Sequence, residues 1–391
     1  AATATAPVAP PSFLAAALDL LPPATATLLS PRLYATFWAL TLYDLACPSP
    51  AYETAFQRIR AAQQAADGEG GDPAGAAERR RKERDRYAQL ADRLRSDRQA
   101  QDRRVAAVKE ALRKDKDAWF PAEAGRREKA AVSALLQHCV LPRAAFSPGD
   151  ARYCAQFALR LHALGTPHFS TLQYLDKLLR DVATHLFSCT AREAANLSRF
   201  LADTLGTVCH WKSSRGVYDR ECRALPGFSV SIRAQTRRAS YEEFMTVVFR
   251  WWNKLAKQFS TALESKEYME VRNVLLCLIT TVESFPGMQR LGAIIEEKVQ
   301  KIKEEESKEG GREDLKTLAS RYLAMLQTGK AVLKSDEAFT NSAMGGKLGG
   351  QPPPVPKEGA GSRGQGPKAE EGPGEGKKRK QPEPPGARGD A

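Results

Sequence analysis

The stretch ALLQHCVLPRAAFSPGDARYCAQF, residues 134–157, sets His138 beside Cys139 and brings in Cys154, in a chain with only five histidines and seven cysteines. It reads in two ways: as a thiol–imidazole site that does chemistry, or as two pieces of helix packing a core. The second reading has named signals. Ser147, Pro148, Gly149 and Asp150 supply a cap and a first-turn proline. Tyr153, Phe157, Leu161 and Leu164 then share one face until Gly165 ends the helix. His138 and Cys139 come just before Pro142, at the end of the preceding helix, and Cys154 lies on the side that carries Phe157 and Leu161, as a small hydrophobe. Metal sites need ligand pairs at close fixed spacing with a second pair further on. His185 with Cys189, and Cys209 with His210, have no second half, so neither metal nor other cofactor is expected. The sequence has no G-x-S-x-G elbow, P-loop, H-E-x-x-H or kinase signature, and a non-enzyme is expected. The rival is a cysteine-dependent hydrolase using Cys139 or Cys154 with His138.

The same helix signals extend outward in both directions. Ser30-Pro31 and Ser49-Pro50 open two helices joined by a tight turn. From Glu78 to Asp117 one long helix is predicted, with fifteen Lys/Arg against nine Asp/Glu and a narrow stripe of Tyr87, Leu90, Leu94, Val105, Val108 and Leu112. Its bland reading is a solvated or coiled-coil helix, and its sharper one a nucleic-acid stripe led by Arg79, Arg80, Arg81 and Lys82. Further on, Phe169 to Ser188 reads as one helix, and Thr190 with Glu193 and Ser240 with Glu243 are capping boxes that start two more. Trp251-Trp252 reads as core and helix seam before it reads as a base-stacking platform. Arg237-Arg238-Ala239-Ser240 makes Ser240 a candidate phosphosite, although it already serves as a cap.

The fold class expected is all-α: an irregular α-solenoid of HEAT-like helix pairs with one long charged helix and a disordered basic C-terminal tail. Its segments are an Ala/Pro-rich stretch (1–29), a helical hairpin (30–67), a loop (68–77), the charged helix (78–120), the α-solenoid body (127–330) and the tail (340–391). The tail is Gly, Pro, Lys and Glu, which cannot bury enough to fold. Its Lys377-Lys378-Arg379-Lys380 cluster is a candidate for both phosphate contact and nuclear import.

A formal net charge of +13 favours acidic partners, nucleic acid first. Seven scattered cysteines and no secretory signal point to reduced thiols. The apolar runs Phe13–Leu21 and VLLCLITTV (274–282) are too short to span a bilayer, so no membrane partner is expected. A membrane-surface solenoid is a third reading.

Segment order then carries a resemblance. FWALTLYDLACPSPAYE (37–53), the helix ending in KDKDAWF, LLQHCVLPRAAFSPGDARYCAQF, the segment from SCTAREAANLSRF to ECRALPGF, YEEFMTVVFRWWNKLAKQF and TTVESFPGMQRLG follow one another as in the C-terminal helical region of the second subunit of the THO complex. The chain resembles that family over residues 33–328. The resemblance implies an α-solenoid scaffold of the nuclear THO/TREX assembly, which couples transcription and mRNA processing to mRNA export. It implies other THO subunits, a DEAD-box RNA helicase, and mRNA or nascent transcript and DNA as partners. It brings no catalytic residues, and the family's N-terminal part associated with helicase docking is expected to be missing here.

Overall fold

Helices begin where short polar side chains can reach back to orphan amides. Ser30 Oγ accepts from Leu33 N (3.2 Å), Ser147 Oγ from Asp150 N (3.0 Å) and Ser170 Oγ from Gln173 N (3.3 Å). Both capping boxes close: the Thr190 amide donates to Glu193 at 2.8 Å and the Ser240 amide to Glu243 at 2.9 Å. The structure, a computed structural model, describes residues 11–68, 74–230, 237–329 and 333–341.

The regular structure of the described residues is helical. In chain order they form α1 (Pro11–Leu20), α2 (Pro23–Ala26), α3 (Pro31–Ala39), α4 (Leu42–Leu45), α5 (Ser49–Gly68), α6 (Ala74–Asp115), α7 (Ala122–Arg126) and α8 (Glu128–Leu135). Then come α9 (Leu141–Ala144), α10 (Pro148–Ala163), α11 (Thr171–Arg180), α12 (Val182–Phe187), α13 (Ala191–Lys212) and α14 (Arg215–Tyr218). The remainder are α15 (Tyr241–Leu263), α16 (Tyr268–Thr281), α17 (Gln289–Glu305), α18 (Glu313–Gly329) and α19 (Asp336–Asn341). Extended pairing among these residues is limited to two isolated bridges, Ser229 with Arg238 and Met288 with Lys334.

From α8 onward the long helices pack in two layers. One layer runs α10, α13, α16, α18, each against the next; the other runs α8, α11, α15, α17. The layers meet through α12 on α16, α15 on α16, and α17 on α18. Apolar stripes on both layers close the core between them, with Phe157, Phe200, Trp251, Leu278 and Tyr322 each almost fully buried.

Several local expectations need correction. Pro142 does not end a helix: a wide π turn at Leu136–Val140 carries the chain from α8 into α9, with Pro142 in the first turn of α9, where its missing N–H is not needed. The single helix expected over 169–188 breaks at Asp181 into α11 and α12. Gln258 of α15 fills the break, its Nε2 donating to Leu179 O (3.0 Å) and its Oε1 accepting from Ala183 N (3.3 Å). The loop expected at 68–77 is shorter, since α5 reaches Gly68 and α6 starts at Ala74. The tail boundary at 340 falls inside α19, and residues 342–391 lie outside the described residues.

α6 packs along α5 and α4, and its charged side chains, basic and acidic, find partners on the N-terminal helices. Arg98 donates to Glu53 (2.6 Å), Tyr52 to Asp97 (2.6 Å), Arg104 to the buried Asp44 (2.6 Å), and Arg32 of α3 makes a two-bond fork onto Asp115 (3.1 and 2.6 Å). Ala91 and Leu112 are buried on the packed side, whereas Leu90 faces solvent.

Candidate functional site

The opening stretch holds a buried cation. Arg143, only 6% exposed, donates through Nε to Asp150 (2.9 Å), through Nη1 to Phe37 O and through Nη2 to Leu40 O (2.7 Å). Its guanidinium lies 3.9 Å from the Tyr153 ring centroid, and the Tyr153 hydroxyl also donates to Phe37 O (2.8 Å). Phe37 and Leu40 carry the orphan carbonyls at the C-terminal end of α3, so Arg143 and Tyr153 cap that helix from the far side of the sequence. LPRAAFSPGDARY is therefore a clasp that fastens the N-terminal helices to the layered body.

The thiols beside it are not poised for attack. Cys139 and Cys154 are both buried, and burial drives each thiol well above its ordinary range, in the direction that removes thiolate. Cys154 Sγ donates to Val140 O (3.5 Å), and the His138 ring contacts Thr25 Oγ1 (3.4 Å). The geometry does not fit the hydrolase reading of His138 with Cys139 or Cys154. Iodoacetamide should leave Cys139, Cys154, Cys222 and Cys277 unmodified in the native protein and label all four in denaturant, as mass spectrometry would read; fast native labelling of Cys139 or Cys154 would revive the hydrolase. Among the described residues no group of three His, Cys, Asp or Glu side chains could hold a metal ion.

A second polar node joins the layers. His162 of α10 is buried, with Nδ1 2.9 Å from Thr171 Oγ1 and Nε2 2.9 Å from Glu221 O. Its ring packs on Trp211 and Phe228, with centroids 4.8 and 5.3 Å away. Burial pulls its pKa down to about 4, outweighing the opposing pull of Glu221. Gly227 closes the node, because a Cβ there would collide with Thr171 Oγ1.

Arg79 to Lys82 are not assembled into one patch. Arg79, Arg81 and Lys82 are exposed and Arg80 half-buried, and Lys82 pairs with Glu78 (2.9 Å). Four consecutive residues turn about 100° each, so they encircle α6 instead of lining one face. Lys377, Lys378, Arg379 and Lys380 lie outside the described residues. Trp251 and Trp252 are both buried, donating to Asp176 (3.1 Å) and Ser284 O (3.3 Å), so neither offers a face to a base. Ser240 is committed to its cap, its Oγ accepting from Glu243 N (3.2 Å).

A broad concavity on the body was not visible in the sequence. An open groove of about 930 Å³ crosses α10, α13, α16 and α18, the outer side of one layer, with the α4–α5 turn at its edge. Arg152, Arg199 and Arg321 line it together with Asp203 and Glu283, and apolar floor comes from Leu159, Ile279 and Met325. Arg152 sits 3.8 Å from Asp203, whose pKa burial raises against the pull of Arg152 and Arg199. Periodicity marks the inward stripe of each helix; which outward residues meet across four helices depends on their stacking.

A layered helical body with buried polar clasps and a broad mixed-charge groove belongs to the all-α class of proteins. The sequence model of the family described as "Transcription factor/nuclear export subunit protein 2" (Tho2) matches residues 26–326. THO complex subunit 2 of Arabidopsis thaliana is 36% identical over 323 residues, and that of Homo sapiens 35% over 318 residues, covering 82% and 80% of this chain. The Saccharomyces cerevisiae protein of that name is 26% identical over 214 residues, 54% of this chain. The chain belongs to the THO complex subunit 2 family. It spans 17% and 20% of the length of the Arabidopsis and human proteins, respectively. No helix among the described residues is long and apolar enough to cross a membrane.

Proposed function

We propose that this chain is a scaffold part of a nuclear THO/TREX assembly that couples transcription and mRNA processing to mRNA export. The observation that carries it is the match to proteins named THO complex subunit 2 over 80% of the chain. On this proposal the stacked pairs form an irregular α-solenoid of HEAT-like hairpins, and the groove across α10, α13, α16 and α18 receives another THO subunit. A DEAD-box RNA helicase is a further partner of the assembly, and no membrane contact is involved. Arg79, Arg80, Arg81 and Lys82, with Lys377, Lys378, Arg379 and Lys380, add sequence-nonspecific RNA or DNA contact that weakens steeply with salt. The 377–380 cluster also serves nuclear import, and phosphorylation of Ser240 would compete with its cap.

A pull-down from nuclear extract with the tagged full chain, with and without nuclease, tests the assignment. Nuclease-resistant recovery of the other THO subunits is expected. The pair Arg152→Gln and Arg321→Gln should lower that recovery about tenfold with at most a small shift in melting temperature, since both side chains are exposed in the groove and only the long Arg152–Asp203 pair is lost. Recovery of RNA-dependent partners alone would end the scaffold reading.

A further inference from the structure

The chain returns to the body after α18, and the way it is held has the form of a bound peptide. Residues 333–341 run beside the turn FPGMQRLG (285–292) that joins α16 to α17. Leu333 packs over Gly292, where a Cβ would lie 3.0 Å from its Cδ1. Lys334 N donates to Gly287 O (3.1 Å) and Gln289 N donates to Lys334 O (2.9 Å), a short parallel pairing. Arg290 Nε donates to Asp336 (2.7 Å). One turn later Phe339 is fully buried in a slot walled by Trp252, Lys212 and Gly287. The Lys212 Nζ stands 3.4 Å from the Phe339 ring centroid. Gly287 has φ +65°, and a Cβ there would press to 3.3 Å on both the Phe339 ring and the Trp252 indole nitrogen, so the slot requires glycine.

Backbone pairing, one aromatic anchor in a pocket and a cation for an acid are the means by which folded domains take up linear segments. The receiving half is held by the body itself: Trp252 Nε1 donates to Ser284 O (3.3 Å) and Arg290 Nη2 to Asn253 (2.6 Å). The returning segment brings one fully buried aromatic side chain, the Leu333 contact, the Asp336 ion pair and a few backbone bonds against the entropy of ordering its length, a small set beside the core of the body and the kind that opens locally. We propose that this slot is a peptide-binding site, closed in cis by residues 333–341, for a partner segment that carries an acidic residue three positions before an aromatic one. Arg290 on its rim supplies the charge for the acid, and Lys212 a cation for the aromatic face. The inference stands apart from the subunit assignment, and its test needs no other subunit.

The full chain carrying Phe339→Ala opens the slot, and a fluorescent peptide LKSDEAFTN reports on it by anisotropy. Saturable binding at least tenfold tighter than to the intact chain is expected. Exchanging the peptide's phenylalanine for alanine, or introducing Arg290→Glu in the protein, should each weaken binding about tenfold. Absence of saturable binding by a Phe339→Ala chain with native circular dichroism, or equal binding by the intact chain, would overturn the proposal. A dimer of the intact chain that Phe339→Ala abolishes would assign the slot to a second copy and overturn it equally.

Discussion

Replacing Arg143 by methionine is expected to destabilise the protein by about 3–5 kcal/mol, the range for removing one partner of a buried charged cluster. Methionine restores most of the volume, so the loss is mainly polar. Phe37 O loses one of its two donors and Leu40 O loses the Arg143 bond. A buried acceptor deprived of its donor costs about 1–3 kcal/mol. The attraction to the Tyr153 face goes as well. Arg143→Lys should recover less than half, because a single ammonium cannot reproduce a planar fork that serves Asp150 and two carbonyls in divergent directions. Tyr153→Phe should couple to Arg143→Met non-additively, since both side chains donate to Phe37 O. Urea unfolding followed by circular dichroism reads the parent chain, the three single variants and the double variant. A loss below about 1 kcal/mol for Arg143→Met, no more than an ordinary hydrogen bond, would show that α3 is fastened by something else.

Stability is also expected to fall between pH 6.5 and pH 4 as His162 opposes protonation in the folded state. Its pKa is pulled from 6.5 down to about 4 by burial, so the unfolded chain takes up a proton in this window before the folded protein does. The contribution is fully present above pH 6.5 and is lost as the pH falls through 4, in total on the order of 3 kcal/mol. His185 adds to the slope with the same sign, because burial lowers its pKa too, with Lys177 acting in the same direction and Asp181 against it. Asp44 and Asp176 have pKa values held below 3.8 and lose their contribution only at more acid pH. Urea midpoints taken at intervals from pH 7.5 to pH 4.5 give the slope. His162→Phe should be less stable at pH 7.5, through loss of the bonds to Thr171 and Glu221, and should show a flatter profile. An unchanged profile in His162→Phe would place the titrating group elsewhere.

Much of this was legible along the chain because it is local. Ser30, Ser147, Thr190 and Ser240 cap helices by contacts three residues away, so the residue and its partner stand in one short window. The inward stripe of α10 and the burial of Cys139 and Cys154 follow from 3.6-residue periodicity. The order of the segments was enough to resemble the family to which the chain belongs. The basic candidates were legible as composition only, since placing Arg79 to Lys82 on a helix spreads them around it.

Sequence alone determined that this protein is helical, where several of its helices start, and that Cys139 and Cys154 pack a core, because each of these depends on the backbone's own hydrogen bonds and on the side a residue faces. Only the tertiary structure decided what the polar residues between those stripes do. Arg143 finds its carbonyls more than a hundred positions back, Gln258 splits α11 from α12 across 75 and 79 positions, and Phe339 fills a slot made by Lys212, Trp252 and Gly287. Burying a charge or an open backbone group requires partners in three dimensions, and no periodicity in one dimension records which distant partners those are.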